Sequence, residues 1–185
     1  MIQQQSALGP AQFLVDNVDL LPMGRALDVA MGEGRNAIYL ARLGFTVEGV
    51  DISPVAVAKA LAAARSAGVE IAAQVADLED GYEIAPGAYD VILVFRYLQR
   101  SLFPALVAGL RPGGVIVYET YIAEQAQLSR PRNPAHLLEH NELLHAFADL
   151  RVLRYREGLV DGRYVAGIIA LREADTSGCL YTTTE

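Results

Sequence analysis

The chain has 185 residues, of which 52 % are hydrophobic and 20 % charged, and this composition predicts one globular domain and excludes a disordered chain. Its net charge is −7, from 15 basic and 22 acidic residues. This negative charge argues against nonspecific binding to nucleic acid or to an anionic membrane.

The first ten residues, MIQQQSALGP, have neither a basic start nor an apolar stretch, so we expect no signal peptide. No run approaches the ~20 apolar residues that span a bilayer. The single cysteine, Cys179, lies in a polar segment, so neither a disulfide framework nor a thiolate metal site is expected. Together these features predict a cytoplasmic protein.

Helices and strands alternate in the hydrophobic pattern of the first two thirds of the chain. The predicted elements begin with a helix at about 11–21, a strand at 25–30, a helix ending at Leu43, a strand at 45–50, a helix from Pro54 to about 67, and strands at 69–76 and 91–95. A helix at 102–110, a turn at Pro112-Gly113-Gly114 and a strand at 115–119 follow.

The last third has a different pattern, with a helix at 141–147 and two β-like segments at about 150–155 and 163–171. These segments flank Asp161-Gly162, which indicates a hairpin with a loop longer than the minimum. Residues 1–172 are predicted to form a single domain, and 173–185 a polar, frayed tail. The fold class is therefore α/β: a doubly wound, Rossmann-like three-layer sandwich whose seven-stranded, mostly parallel sheet ends in a C-terminal antiparallel hairpin.

A glycine-containing loop follows the first predicted strand. Gly32 and Gly34 allow a sharp turn without Cβ interference, and the next helix begins with unpaired N–H groups beside them. Asp51 ends the second strand, where a carboxylate can accept both hydroxyls of a ribose. A lone G-x-G is often only a tight turn, but the strand, loop, helix and spaced acid together predict a nucleoside-type ligand.

Two ligand classes share this geometry. Gly32-x-Gly34-x-x-Ala37 also fits the dinucleotide fingerprint, so an NAD(P)-binding oxidoreductase is one interpretation. Asp28, however, would face the diphosphate unfavourably, whereas it suits an ammonium or sulfonium group. Asp77-Leu78 offers an acceptor for an adenine amino group and a backbone N–H for the ring. Too little chain follows the fifth strand for a separate substrate domain.

The chain resembles the class I S-adenosylmethionine-dependent methyltransferases over residues 25–172. The matching segments, in order, are Leu27-Asp28-Val29-Ala30-Met31-Gly32-Glu33-Gly34, Val50-Asp51-Ile52-Ser53, Ala76-Asp77-Leu78, Tyr89-Asp90-Val91-Ile92 and Leu110-Arg111-Pro112-Gly113-Gly114. Gly34-Arg35-Asn36 before a Tyr-Leu helix is most similar to the small tellurite-resistance-type members. Ala30 replaces the usual first loop glycine, and the amino-terminal extension is short. These departures keep a non-catalytic S-adenosylmethionine-binding protein open as an alternative.

The resemblance implies S-adenosylmethionine as the cofactor, with S-adenosylhomocysteine as the product, and a role for several positions. Asp28 and the loop would hold the methionine part, Asp51 the ribose and Ile52 the adenine face. Asp77 and Leu78 would bind the adenine edge, and Phe95 would line the reactive centre. The predicted cofactor residues are Asp28, Ala30, Met31, Gly32, Gly34, Asn36, Asp51, Ile52, Asp77, Leu78 and Phe95.

Methyl transfer to a small molecule is the predicted reaction. It is an in-line displacement that needs alignment and exclusion of water, and no catalytic residue is predicted. Phe95-Arg96-Tyr97-Leu98 differs from the Asn-Pro-Pro-Tyr type motif, which argues against DNA adenine or a protein amide. The candidate substrate residues are Arg96, Tyr97, Tyr118 and Tyr121, together with Thr120. Arg130 and Arg132 are further candidates for attracting an anionic acceptor.

His136-Leu137-Leu138-Glu139-His140 matches H-x-x-E-H, the inverted zinc-peptidase pattern. A zinc site would need a continuous helix here and a third ligand well downstream. Asn141-Glu142 instead predicts a helix start, so we expect no metal. The sequence does not indicate whether the protein is a monomer or an oligomer.

Overall fold

A single sheet of seven strands forms the centre of the protein in a computed structural model, which describes residues 9–174. The strands are β1 (Arg25–Val29), β2 (Thr46–Asp51), β3 (Ala72–Val75), β4 (Tyr89–Phe95), β5 (Leu110–Tyr121), β6 (Arg151–Val160) and β7 (Arg163–Leu171). Their order is β3-β2-β1-β4-β5-β7-β6, parallel as far as β5 and antiparallel beyond it. The predicted fold class is confirmed.

Short helices connect most of the strands. They are α1 (Gln12–Val15), α2 (Arg35–Arg42), α3 (Pro54–Ser66), α4 (Phe103–Gly109), α5 (Gln125–Leu128) and α6 (Glu142–Ala146). The start of α3 follows from its sequence, because Ser53 Oγ accepts a hydrogen bond from the Ala56 N–H at 3.2 Å and proline occupies the first helical position. Within residues 9–174, no helix is long and apolar enough to cross a membrane.

Hydrophobic side chains cover both faces of the sheet. One face packs against Phe13 of α1 and Leu40 of α2, and the other packs against α4 and α6. On the second face Phe103, Tyr118 and Phe147 form an aromatic cluster with ring centroids 5.5–5.9 Å apart. Because both faces are covered, central strands such as β4 consist almost entirely of buried residues.

The predicted N-terminal helix at 11–21 is wrong in extent. The structure has one helical turn, α1, and then a separate 3₁₀ turn at Val18–Leu20. Asn17 lies between them, and its Nδ2 donates a hydrogen bond to the Phe13 carbonyl oxygen at 2.9 Å. A short polar side chain that binds the backbone in this way competes with continuation of the helix.

Two predicted loops also differ. Pro112-Gly113-Gly114 is not a turn before a strand but a bulge inside β5, since Tyr89 pairs with Leu110 and Val91 with Val115. The hairpin loop is the minimum of two residues, because Val160 pairs directly with Arg163. Asp161 and Gly162 have φ of 48° and 74°, as a type I′ turn requires.

The remaining boundaries shift by a few residues, and β3 is shorter than predicted because it is a largely exposed edge strand. Most of the predicted tail at 173–185, including Cys179, lies outside the described residues.

β1 pairs with both β2 and β4, so the order of strands changes direction across the sheet at this strand. The carboxyl ends of β1, β2 and β4 therefore meet at one edge, which is where doubly wound folds bind ligands.

Candidate functional site

The loop after β1 is built on a left-handed backbone. Ala30, Gly32 and Gly34 have φ of 54°, 58° and 76°, and such values suit glycine far better than alanine. Gly34 is also required sterically, because a Cβ there would lie 2.8 Å from the Cβ of Ala60 on α3. The loop thus turns sharply and begins α2 close to the end of β1.

Asp51, at the end of β2, holds this loop in place. Its Oδ2 accepts the Gly32 N–H at 2.8 Å, and its Oδ1 accepts the Ser53 N–H at 2.9 Å. A carboxylate has about four acceptor positions, so two remain for a ligand. A diol such as the ribose of a nucleoside matches this remaining capacity.

Asp28, near the end of β1, is only 1 % exposed. Its Oδ2 accepts the Ala37 N–H of α2 at 3.1 Å, and among residues 9–174 it has no ion-pair partner within 4.0 Å. Burial raises the pKa of this carboxyl to about 7, although the Ala37 hydrogen bond and the charge of Arg35 oppose the increase. A ligand cation beside Asp28 would restore the ionised form.

The adenine-side candidates lie at the ends of β2 and β3. Ile52 is 62 % exposed, which is unusual for isoleucine and leaves an apolar surface for a ring. Asp77 Oδ1 accepts the Glu79 N–H at 2.9 Å, and Leu78 is buried. Burial and the charges of Glu79 and Asp77 raise the pKa of Tyr97 to about 12, so Tyr97 lies on this side. Phe95 is buried at the end of β4.

Two predicted cofactor residues have side chains that belong to the fold. Met31 packs with Val57 and Ala60 of α3, and its Sδ lies 2.1 Å from where a Cβ on Gly49 would be. Asn36 is 4 % exposed, and its Oδ1 accepts the Ala11 N–H at 2.8 Å. The Met31 backbone is also bonded within the protein, because its N–H donates to the Val50 carbonyl oxygen at 3.0 Å and its carbonyl oxygen accepts the Gly34 N–H at 3.1 Å.

A cavity of about 190 Å³ lies beside the loop, at the ends of β5 and β7. Arg96, Thr120 and Tyr121 line it, so the structure brings these three substrate candidates together. Tyr118 is not among the lining residues. It is 1 % exposed within the aromatic cluster, and its hydroxyl donates a hydrogen bond to the Tyr97 carbonyl oxygen at 2.9 Å. A role for Tyr118 in the substrate wall does not fit this position.

Arginines that the sequence did not single out also line the cavity. Arg35 begins α2, Arg163 begins β7, and Arg156 of β6 forms an ion pair with Glu119 of β5. Burial and the neighbouring charges of Arg96 and Arg163 lower the pKa of Arg35. The position of Arg35 directly after the glycine loop was a usable sequence signal, whereas no local motif marks Arg163.

Arg130 and Arg132 do not line this cavity, and both are exposed in the connection between α5 and α6.

The H-x-x-E-H segment of the sequence is not a helix. Pro134–His136 is a 3₁₀ turn and Leu137 is extended. His140 instead contacts Glu124 and Glu157, each at 2.7 Å. Among residues 9–174 no three histidines, cysteines or acids are grouped to hold a metal ion.

Comparison with known proteins relates part of the chain to methyltransferases. Residues 26–114 match the model of a methyltransferase domain. The chain is 30 % identical over 151 residues to a protein named hemagglutinin 1 from Eikenella corrodens, an alignment that covers 73 % of this chain and 46 % of that protein. It is 30 % identical over 105 residues to a ubiquinone biosynthesis O-methyltransferase of Xanthomonas campestris, covering 54 % of this chain and 44 % of the relative.

The structure is similar to that of TehB from Haemophilus influenzae, with a TM-score of 0.75, 20 % identity, and coverage of 92 % of this chain and 64 % of that one. At this identity the likeness concerns the fold. The chain spans about half the length of the curated relatives that it matches. The family model covers β1–β4 with the loop after β1, and it stops before most of β5.

Proposed function

The chain belongs to the class I S-adenosylmethionine-dependent methyltransferases, and from this premise we propose that it transfers a methyl group from S-adenosylmethionine to a small molecule. The observation that supports this activity most directly is the pair of carboxylates, Asp28 and Asp51, at the carboxyl ends of adjacent strands around the glycine loop. The expected family and its cofactor rest on the match to a methyltransferase domain and on the O-methyltransferase relatives.

The described residues fit this cofactor at both of its ends. The Asp28 carboxyl is buried without a cation among residues 9–174, and the methionine ammonium would supply one. Asp51 has acceptor capacity for the ribose diol, and exposed Ile52 offers a face for adenine. Asp77 and Leu78 are proposed to bind the adenine edge, with Tyr97 near them and Phe95 beneath the reactive centre.

S-adenosylmethionine supplies a methyl group on a positively charged sulfur, which leaves as a neutral thioether when an acceptor displaces it. The protein must therefore hold the acceptor in line and exclude water. We assign this positioning to the cavity lined by Arg96, Thr120 and Tyr121, which lies at the ends of β4 and β5 on the same edge of the sheet. No side chain needs to move a proton for an acceptor that is already anionic.

The size of this cavity, about 190 Å³, supports a small-molecule acceptor. Nucleic acid remains an unfavourable partner for a chain of net charge −7. We also propose a cytoplasmic location and a single domain over residues 1–172. An NAD(P)-dependent oxidoreductase is disfavoured by the family match and by Asp28, which would face a diphosphate.

Transfer of radiolabelled methyl from S-adenosylmethionine into the small-molecule fraction of a cell extract tests the activity. Wild type is expected to produce labelled product and S-adenosylhomocysteine in equal amounts, and Asp51→Ala is expected to produce far less of both. Glu33→Ala is the matched control, because Glu33 lies in the same loop but is exposed and bound to Lys59. Tight cofactor binding without label transfer would instead indicate the non-catalytic alternative.

A further inference from the structure

The cavity beside the cofactor loop is positively charged, although the whole chain is negative. Among residues 9–174, four arginines line it, namely Arg35, Arg96, Arg156 and Arg163, against two acids, Glu119 and Asp161. Glu119 is already neutralised by its ion pair with Arg156. Asp161 lies in the exposed turn between β6 and β7. The cavity therefore retains a surplus of positive charge in a protein of net charge −7.

The three other arginines have no carboxylate partner within 4.0 Å among residues 9–174. Arg35 makes only a long contact of 3.5 Å from Nη1 to the Gly9 carbonyl oxygen. In contrast, arginines near other acids of the sheet are paired, as Arg25 is with Glu48 and Arg111 with Asp90. Arg96 and Arg163 are exposed and therefore solvated, but three guanidinium groups that converge on one cavity still repel one another, and a bound anion would relieve this repulsion.

The backbone of Arg96 supports the same conclusion. Arg96 directly follows β4 with φ of 57°, a left-handed conformation that is uncommon for a long side chain. Its N–H still donates to the Glu119 carbonyl oxygen of β5 at 2.9 Å, which fixes the residue at the edge of the cavity. Strained residues that the surrounding structure holds in place are concentrated at binding sites.

We propose that Arg35, Arg96 and Arg163 form an oxyanion-binding site within the acceptor cavity, and that the methyl acceptor is a small organic acid held there by its carboxylate. This inference rests on the proposed function. Guanidinium groups bind planar oxyanions through paired N–H donors, which fixes orientation as well as charge. Pro10, Ala11 and Val165 line the same cavity and offer an apolar surface to the carbon part of the acid.

A second source of a carboxylate exists, because the methionine part of the cofactor carries one. Arg35 lies close enough to Asp28 to influence its charge, so Arg35 borders the cofactor side. Arg96 follows β4, which pairs directly with β1, whereas Arg163 begins β7, two strands farther across the sheet from the loop. The surplus of three guanidinium groups favours an acceptor anion in addition to that of the cofactor.

Benzoate is a suitable probe, because it is planar, anionic and small, and benzamide is its neutral counterpart. Binding of each is measured by calorimetry on the full chain saturated with S-adenosylhomocysteine. We expect wild type to bind benzoate at least tenfold more tightly than benzamide. Arg96→Gln and Arg163→Gln are each expected to weaken benzoate binding at least tenfold and to leave the affinity for S-adenosylhomocysteine within twofold.

Arg42→Gln is the matched control, because Arg42 is exposed at the opposite end of α2 from Arg35. Equal binding of benzoate and benzamide, or no benzoate binding, would overturn the inference. Benzoate that binds only without S-adenosylhomocysteine would also overturn it, since the arginines would then serve the cofactor carboxylate. In each of these outcomes S-adenosylhomocysteine still binds, whereas loss of that binding in wild type would contradict the proposed function itself.

Discussion

The two halves of the sheet edge are built in different ways. On the proposed cofactor half, at the ends of β1–β3, backbone N–H groups bind two carboxylates, since part-buried Asp51 accepts from the loop and buried Asp28 accepts from α2. On the acceptor half, at the ends of β5 and β7, long cationic side chains surround a cavity. The first half is fixed by short-range geometry, whereas the second depends on side chains distant in sequence.

This difference implies that the two halves respond separately to mutation. A change in the cofactor half should alter cofactor affinity, and a change in the acceptor half should alter only acceptor binding. The variants below test that separation, beginning with the largest expected effect.

Asp51→Ala removes the acceptor for two backbone N–H groups and for the proposed ribose contact. We expect the affinity for S-adenosylhomocysteine to fall by about 3 kcal/mol, since the ribose hydroxyls would lose a charged acceptor and the loop would lose the bond that holds it. Calorimetric titration measures this change, with Glu33→Ala as the control. An unchanged affinity would remove Asp51 from the proposed site.

Asp28→Asn replaces a buried carboxyl whose pKa is about 7 with a neutral group of the same shape. Because that pKa is raised above its value in the unfolded chain, the protonated form favours folding, and this stability is lost as the pH rises from about 4 through about 7. Without cofactor, the variant should therefore be about 2 kcal/mol more stable than wild type at pH 8.

The gain in Asp28→Asn should shrink as the pH falls and vanish below about 4, and chemical denaturation across pH measures it. The same variant should bind S-adenosylhomocysteine at least tenfold more weakly at pH 8. A variant with lower stability at pH 8 would show that the charge of Asp28 is compensated within the protein itself.

Tyr118→Phe removes the hydroxyl that donates to the Tyr97 carbonyl oxygen within the aromatic cluster. The free energy of unfolding should decrease by about 1 kcal/mol, with no change in benzoate or cofactor binding. Tyr164→Phe is the control, because the Tyr164 hydroxyl has no hydrogen bond to residues 9–174. Loss of benzoate binding in Tyr118→Phe would contradict this expectation and would show that Tyr118 contributes to acceptor binding.

Ala30→Gly relieves the left-handed backbone at the start of the loop. The gain from relieved strain exceeds the entropic cost of glycine by about 0.5 kcal/mol, and stability should rise by that amount. Ala63→Gly in exposed, regular α3 should instead lose about 1 kcal/mol. A destabilised Ala30→Gly would mean that the methyl group of Ala30 packs usefully in the loop.

The cofactor half was largely predictable from sequence because its elements are local. Gly32, Gly34 and Asp51 lie within 20 residues, and each follows a strand with a clear hydrophobic pattern. The strand order then brings their ends together without further information. The sequence could not show which side chains serve the packing of the fold. The side chains of Met31 and Asn36 do so, since Met31 packs against α3 and Asn36 binds the Ala11 N–H.

The acceptor half was predicted only in part. Arg35, Arg96 and Arg163 are spread over most of the chain, and their proximity depends on the antiparallel hairpin register beside β5. Tyr118, a predicted substrate residue, does not line the cavity, and alternation along β5 does not reveal which of the two covered faces its side chain joins. The face became clear only from the packing of Phe103 and Phe147 against Tyr118.

The central claim is that the loop between β1 and α2 binds S-adenosylmethionine. Thermal unfolding of wild type, measured in parallel with S-adenosylmethionine, S-adenosylhomocysteine, NADH and NADPH, tests it most directly. A ligand at one hundred times its Kd stabilises the folded state by about 2.7 kcal/mol, which is readily measured. The account predicts stabilisation by the two adenosyl compounds and by neither nicotinamide. Stabilisation by a nicotinamide alone would contradict it.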